Sequence, residues 1–572
     1  MRQRAVTRIR IITAVVLFFA LVLLVRLYQV QVLQHDQYTT RAEQQYVHTV
    51  EDLLTRGNIF FTTKNNEYVS AATVRSGYVL AVDPSSIRDA EVVYEALSPY
   101  LALDRDTFLT RASLSGRTYV AIDERISEEV AVSIKELELP GVLLYKNQWR
   151  YYPGDTLAAR TVGFIGFTGE GSDARLTGLY GLERYYDDVL NRDNDRLSVN
   201  FFAEIFSNLG SIVFDTESAR TGDIVTSIEP AVARMLQDKL LEVNGERDST
   251  LTGGIIIRPS TGEIVALDAV PTFNLNDRSD ATIEDFRNPL VESVYEFGSI
   301  VKALTMAAGL DSGAVTAATT YYDAGFIELD TFTIRNFDGR GRGTVSMQEV
   351  LNQSLNTGVA FIVQTMGKVA FRDYFMALRF GSETGVDQPN EAYGLVENLN
   401  SPRDVEYVTA SFGQGIATTP IAIVRSLSAL ANGGRLITPH IVTRIEYEDG
   451  TSKEVTYPEG ERVFSEATSE EISRMLTIVV DEALANGTVK FDNYSVAAKT
   501  GTAQIAAPGG GYYEDKYLHS FFGYFPSYDP EYLIFLYTVE PKGVRYASET
   551  LTDPFVDIVQ FLINYYDIPP DR

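Results

Sequence analysis

Three short segments of this chain bring together residue types able to do covalent chemistry. Ser299 and Lys302 stand three positions apart, after Gly298 and before the apolar run Ala303-Leu304-Thr305-Met306-Ala307-Ala308. That pattern predicts a buried helix with Ser299 at its N-terminus and Lys302 one turn on, on the same face. A serine hydroxyl is a weak nucleophile without an adjacent base. Lysine serves as that base when it is neutral, a state favoured by apolar burial, by a second nearby cation and by a helix N-terminus. The second segment is Ser354-Leu355-Asn356, and the third is Lys499-Thr500-Gly501-Thr502. Each has an ordinary structural explanation when taken alone. Ser-x-x-Lys is a helix cap with a surface lysine, Ser-x-Asn is a helix start or an Asx turn, and Lys-Thr-Gly-Thr is an edge strand with a bulge glycine.

Composition narrows what other chemistry is open. The 572 residues contain no cysteine and only four histidines (His35, His48, His440 and His519), so thiolate catalysis, disulfides, iron–sulfur clusters and His-rich or Cys-rich metal centres are excluded or improbable. With 49 Lys plus Arg against 77 Asp plus Glu, the formal net charge is −28, which repels a phosphate backbone and argues against a nucleic-acid partner. A Ser-His-Asp hydrolase would need His440 or His519 as base, and no Gly-x-Ser-x-Gly elbow is present. His519 reads as a strand-end or cleft-rim residue.

The elements that must position these groups follow from periodicity. Residues 34 to 207 mix strand-like runs (Tyr68 to Val82, Thr118 to Ile122) with amphipathic stretches (Ala90 to Leu101, Ser127 to Glu138). A polar, Gly-containing stretch at 208–222 reads as a linker. Beyond it, Leu251 to Ile257, a tight turn at Pro259 to Gly262, and Glu263 to Asp268 predict a hairpin. A long helical section, Ser299 to Thr438, is followed by strands at Ser495 to Ile505, Ser520 to Phe525 and Tyr532 to Val539. Strands at both ends with helices between predict one sheet built from both ends of an α+β domain, 223–572.

At the N-terminus, Arg2, Arg4, Arg8 and Arg10 precede an apolar run from Ile11 to Val25 that continues, with interruptions, to Leu33. The first part covers roughly 22 Å at about 1.5 Å per residue, short of a ~30 Å hydrocarbon core, but the continuation completes a span. Residues 1–10 are expected in the cytoplasm by the positive-inside rule, 11–33 as a transmembrane anchor, and the remainder outside the cytoplasmic membrane. A cleaved signal peptide is the alternative, but no small-residue cleavage site follows the run.

Taken in order, Ser299-x-x-Lys302, Ser354-x-Asn356 and Lys499-Thr500-Gly501 match a known signature, and the chain resembles the class B penicillin-binding proteins. These are monofunctional peptidoglycan D,D-transpeptidases tethered by one N-terminal helix. Arg56-Gly57-Asn58-Ile59, Gly178-Leu179-Tyr180-Gly181-Leu182-Glu183, Gly413-Gln414-Gly415-Ile416 with Thr419-Pro420, and Ala431-Asn432-Gly433-Gly434 resemble further family landmarks. The resemblance implies an elongated mixed α/β pedestal, or dimerisation, domain at 34–207. It also implies a β-lactamase-like transpeptidase domain with an antiparallel five-stranded sheet sandwiched by helices.

The resemblance further implies roles for the motif residues. Ser299 is the nucleophile and Lys302 its base. Ser354 relays a proton to the leaving amine, and Asn356 holds the substrate amide and Lys302. Lys499, Thr500 and Thr502 bind the terminal carboxylate. Gly501 leaves room for an extended substrate, and the N–H groups of Ser299 and Thr502 form the oxyanion hole. No metal or organic cofactor is implied. The implied partners are peptidoglycan stem peptides, β-lactams as inhibitors, a polytopic membrane glycosyltransferase and other wall-synthesis or divisome proteins. The phrases Tyr295 to Lys302 and Lys499 to Gln504 look closest to the division-type, septal branch. Departures occur at Phe297 and Arg258, where the family has Pro and Asp, at Ser227-Ile228-Glu229, and at Phe61 to Asn66; none removes a reactive group. The competing readings are a D,D-carboxypeptidase or β-lactamase, which shares the three motifs, and a catalytically silent scaffold.

Overall fold

A computed structural model describes residues 55–169, 175–192, 220–329 and 331–572. The expected tail at 1–10 and anchor at 11–33 lie outside the described residues, as does most of the 208–222 linker. Among the described residues no helix is long and apolar enough to cross a membrane.

The chain forms two compact units, Arg75–Trp149, and Thr55–Val74 together with Arg150–Arg572. Strand β1 (Ile59–Thr62) and the first part of β2 (Tyr68–Val82) belong to the larger unit. In the smaller unit the second half of β2 pairs antiparallel with β3 (Val120–Ile126), from Tyr78 opposite Ile126 to Val82 opposite Val120. Helices Ala90–Leu97, Arg105–Ala112 and Glu128–Glu136 pack Val93, Leu97, Phe108 and Ile134 onto Leu80, Val82 and Ile126. Each of these helices starts where a short oxygen-bearing side chain (Asp89, Asp104, Ser127) accepts a free N–H of the first turn.

In the larger unit, β4 (Gly222–Thr226) runs parallel to β1, and helix α1 (Pro230–Arg247) follows, with Pro230 in its first turn. Then come β5 (Leu251–Ile257), β6 (Ile264–Val270), helix α2 (Val301–Asp311), helix α3 (Asn356–Met366) and helix α4 (Pro420–Ala431). Strands β7 (Ala497–Ala506), β8 (Tyr512–Phe525) and β9 (Tyr532–Val539) precede the C-terminal helix α5 (Thr552–Tyr566). Five strands pair antiparallel in the order β7-β8-β9-β5-β6, so both ends of this part of the chain build one sheet and β7 is its edge. Residues Tyr532–Tyr537 of central β9 are entirely or almost entirely buried, as a strand covered on both faces must be. One face meets α1 and α5: a Cβ on Gly254 would touch Leu236, and one on Gly523 would touch Phe555. The other face carries Phe297 against Phe535 and Tyr537, at the entrance to α2.

Two expectations are corrected. The stretch from Ser299 to Thr438 is not uniformly helical. It contains two short antiparallel pairs, Thr320–Asp323 with Gly343–Ser346 and Phe326–Leu329 with Phe332–Arg335. These four-residue strands are too short and too exposed to show an alternating apolar pattern. His519 is neither at a strand end nor on a rim. β8 begins at Tyr512, after the Gly509-Gly510-Gly511 turn, so His519 is mid-strand and fully buried.

Two of the landmark segments meet in a buried charge cluster. Arg56 Nε donates to Glu183 Oε2 at 2.6 Å, Arg150 Nε donates to Glu183 Oε1 at 2.6 Å, and Arg56 Nη1 reaches Asp187 Oδ1 at 2.8 Å. Arg56, Arg150 and Glu183 are all buried, so the charges compensate one another inside the protein.

Candidate active site

Ser299 lies in a tight 3-10 turn, Gly298–Ile300, that leads directly into α2. Gly298 has φ 64°, a conformation that favours glycine, and a Cβ there would sit 2.6 Å from the Thr502 carbonyl oxygen. The turn is also held by Gly298 N donating to Gly413 O at 3.2 Å and by Ser520 Oγ donating to Phe297 O at 2.7 Å. The turn that carries Ser299 is therefore clamped between the Gly413 loop and the edge strand β7. Ser299 is half-buried and lines a cleft of about 980 Å³ with Ser354, Asn356, Lys499, Thr500 and Thr502. A second hollow, about 1090 Å³ and lined by Arg435, His440, Tyr457 and Tyr528, contains none of the motif residues.

Lys302, the second residue of α2 and one turn on from Ser299, is 1% exposed. Its Nζ donates to Ser354 O at 2.5 Å and lies 3.1 Å from Ser354 Oγ, while Lys499 Nζ lies 3.1 Å from the same Oγ and donates to Thr500 O at 3.0 Å. One serine oxygen thus bridges two buried amines. Both cannot be charged cheaply at such separations. Burial and the charge of Lys499 push Lys302 well below its ordinary value, and burial lowers Lys499 to about 8. Of the two, Lys302 is the amine pushed toward the neutral form and Lys499 the one better able to keep its proton. Ser354 adopts φ 53°, a left-handed conformation costing a serine about 1–3 kcal/mol, and this conformation accompanies the seating of its carbonyl and hydroxyl on Lys302.

The strand motif resolves an alternation problem. Lys499 and Gly501 stand opposite Phe522 and Ser520, on the α2 face of the sheet, whereas Thr500 and Thr502 stand opposite Phe521 and His519, on the α5 face. All but Gly501 line the cleft, because β7 is the edge and side chains from both faces border the same opening. The Thr502 carbonyl faces the Gly298 turn, away from β8. In an antiparallel ladder the N–H of a residue points to the same side as its C=O, so Thr502 N–H also emerges from the free edge, beside Ser299.

Two expected details differ. Gly501 does not owe its missing side chain to substrate: a Cβ there would lie 2.4 Å from Ser520 Oγ, 2.6 Å from Phe297 O and 3.0 Å from Ile300. The glycine lets the strand sit flush against the turn that carries Ser299. Asn356 does not hold Lys302; its Nδ2 donates to Arg335 O at 2.8 Å, because the Phe332–Arg335 strand lies over the start of α3.

Sequence reasoning missed the network beneath this wall. Buried Asp323 accepts from Thr357 Oγ1 (2.8 Å), Asn336 Nδ2 (3.0 Å), Gly325 N (2.8 Å) and Arg342 N (3.0 Å), tying both short strand pairs to the residue after Asn356. Sequence reasoning named His519 but not its buried contacts: Nε2–H donates to Arg545 O at 3.0 Å, and Nδ1 lies 3.0 Å from Thr550 Oγ1. Burial lowers this imidazole to about 4, so it is neutral. Ala547 N donates to Thr502 Oγ1 at 3.1 Å, so the same loop grips the edge strand.

Residues 252–560 match the Penicillin binding protein transpeptidase domain and residues 54–200 the Penicillin-binding Protein dimerisation domain. The chain is 28% identical to Stage V sporulation protein D of Bacillus subtilis (strain 168), over 97% of this chain and 85% of that protein. It is 26% identical to the Peptidoglycan D,D-transpeptidase FtsI homolog of Mesostigma viride, over 98% and 96%. Its fold is similar to the crystal structure of Penicillin Binding Protein 2X from Streptococcus thermophilus, with a TM-score of 0.70, 21% identity, and coverage of 90% of this chain and 81% of that one.

Proposed function

The chain belongs to the class B penicillin-binding proteins, and we propose that it cross-links peptidoglycan as a serine D,D-transpeptidase. The observation that carries this reading is the Lys302–Ser354–Lys499 cluster, whose Ser354 and Lys499 line the same cleft as Ser299 while Lys302 is buried behind them. Neutral Lys302 takes the Ser299 proton as Oγ attacks the carbonyl of the penultimate D-Ala of a stem peptide. The N–H groups of Ser299 and Thr502 receive the developing oxyanion, each donor worth about 3 kcal/mol. The proton passes through Ser354 to the leaving nitrogen, the C–N bond breaks, and D-Ala departs, leaving an ester on Ser299. An amine of a second stem peptide attacks that ester, its proton returning through Lys302, and the cross-link forms as Ser299 regains its hydrogen. Lys499, with Thr500 and Thr502, binds the terminal carboxylate, and Asn356 offers its amide oxygen to the substrate backbone.

The same proposal places 11–33 as a single membrane anchor with an N-terminal cytoplasmic tail, 34–207 as the pedestal, 208–222 as the linker and 223–572 as the catalytic domain outside the cytoplasmic membrane. Its partners are a polytopic glycosyltransferase and divisome proteins. The phrases around Ser299 and Lys499 favour action at the division septum.

The test is product analysis with the full chain in detergent, a stem-peptide donor ending in D-Ala–D-Ala and an acceptor amine. The expected result is release of D-Ala with a cross-linked dimer, which the Ser299→Ala variant does not form. D-Ala release without dimer would make the protein a carboxypeptidase, rapid turnover of penicillin would make it a lactamase, and the absence of both acylation and turnover would make it a scaffold.

A further inference from the structure

The walls of the cleft carry charge that the mechanism above does not use. Three arginines line it: Arg335, Arg342 and Arg545. Arg342 is paired with Asp338 at 2.8 Å and donates to Gln353 at 2.6 Å. The other two are different. Among the described residues, neither the Arg335 nor the Arg545 guanidinium has a carboxylate within ion-pair distance. Each lies over an aromatic ring instead, Arg335 at 5.5 Å from the centre of Phe326 and Arg545 at 5.6 Å from that of Tyr546. The chain has 77 acidic side chains against 49 basic ones, so cations left without an acidic neighbour at a cleft run against its general charge balance.

Both arginines sit on built segments. The Arg335 backbone is held by the Asn356 amide at 2.8 Å, and the Arg545 backbone by the neutral ring of His519 at 3.0 Å. Two residues on from Arg335, Phe337 meets Tyr546, the neighbour of Arg545, edge to face at 5.8 Å between ring centres. The two segments therefore approach each other across the cleft and bound the same stretch of it, beside the strand that carries Thr500 and Thr502.

We propose that Arg335 and Arg545 form a second carboxylate subsite, which takes an acidic group of the donor stem peptide upstream of its D-Ala–D-Ala terminus. The subsite rests on the transpeptidase reading and specifies its substrate: a peptide with one carboxylate at its end, for Lys499, and another further back. Guanidinium forks suit this recognition, because they give paired, charge-assisted hydrogen bonds with fixed geometry. With Lys499 lining the same cleft, such a site makes the cleft a local attractor for anions in an otherwise acidic molecule.

The test compares kcat/KM of the full chain, at low ionic strength, for donors with a free carboxylate at the second or the third peptide residue and for their amidated counterparts. Wild-type protein is expected to prefer a free acid by about tenfold or more. The arm that shows the preference identifies which carboxylate is bound. The Arg335→Gln/Arg545→Gln double variant is expected to bring the ratio close to one, and 0.5 M salt is expected to weaken it in wild-type protein. Wild-type protein that does not distinguish the donors, or a double variant that keeps the wild-type ratio, overturns the subsite while leaving the transpeptidase reading intact. Wild-type protein that penicillin does not acylate overturns that reading itself.

Discussion

Replacing Lys302 with methionine is expected to slow acylation of Ser299 by about 10³-fold, within the 10²–10⁴ range of a lost general base. Methionine fills the same buried, unbranched space in α2, so the variant removes the amine and not the packing. Stopped-flow acylation by a fluorescent penicillin measures the effect. A loss under about tenfold would show that Lys302 is not the base. The pH profile gives the sign independently. Lys302 acts only when neutral, and burial beside Lys499 already holds it well below its ordinary value, so the acid limb rises through that lowered pKa. Lys499 binds a carboxylate only as an ammonium, and burial brings it to about 8, so the rate falls again above that pH. The expected profile is a bell with its alkaline limb near pH 8 in wild-type protein.

The second large effect is on stability. Glu183→Gln is expected to destabilise the larger unit by about 3–5 kcal/mol, because it leaves the guanidiniums of Arg56 and Arg150 buried with too little negative charge around them. Urea unfolding followed by fluorescence measures it. Burial alone would raise the Glu183 carboxyl, but Arg150 and Arg56 overrule burial and hold it below its ordinary range. A carboxylate lowered on folding contributes stability above its unfolded pKa and loses that contribution as pH falls through the folded one. Wild-type protein is therefore expected to lose stability on acidification below the ordinary carboxylate range, and Glu183→Gln to lose less over the same interval. A variant as stable as wild type would mean the cluster is not a structural joint.

What the sequence made legible was local. The hairpin from Leu251 to Val270 and the strand Tyr532–Val539 follow from runs of Ile, Val, Phe and Tyr, and Ser299 with Lys302 follows from helical spacing. What it hid was set by partners distant in the chain. Arg56 and Glu183 are 127 positions apart, and Asp323 and Thr357 are 34 apart. No periodicity reports such pairings. Gly501 looked like room for substrate because the strand was read in isolation, whereas the Phe297–Ile300 turn behind it is what needs the space. Read from sequence, this strand begins at Ser520 and not at Tyr512 because the outer end of β8 is polar and largely exposed, and this concealed the mid-strand position of His519.

The account stands on Ser299 being the residue that becomes acylated, and mass spectrometry of the intact protein after incubation with benzylpenicillin tests that most directly. The result expected is one penicillin mass per chain, found after proteolysis on the peptide that contains Ser299 and absent from Ser299→Ala. No adduct on wild-type protein, or an adduct that persists in Ser299→Ala, would contradict it.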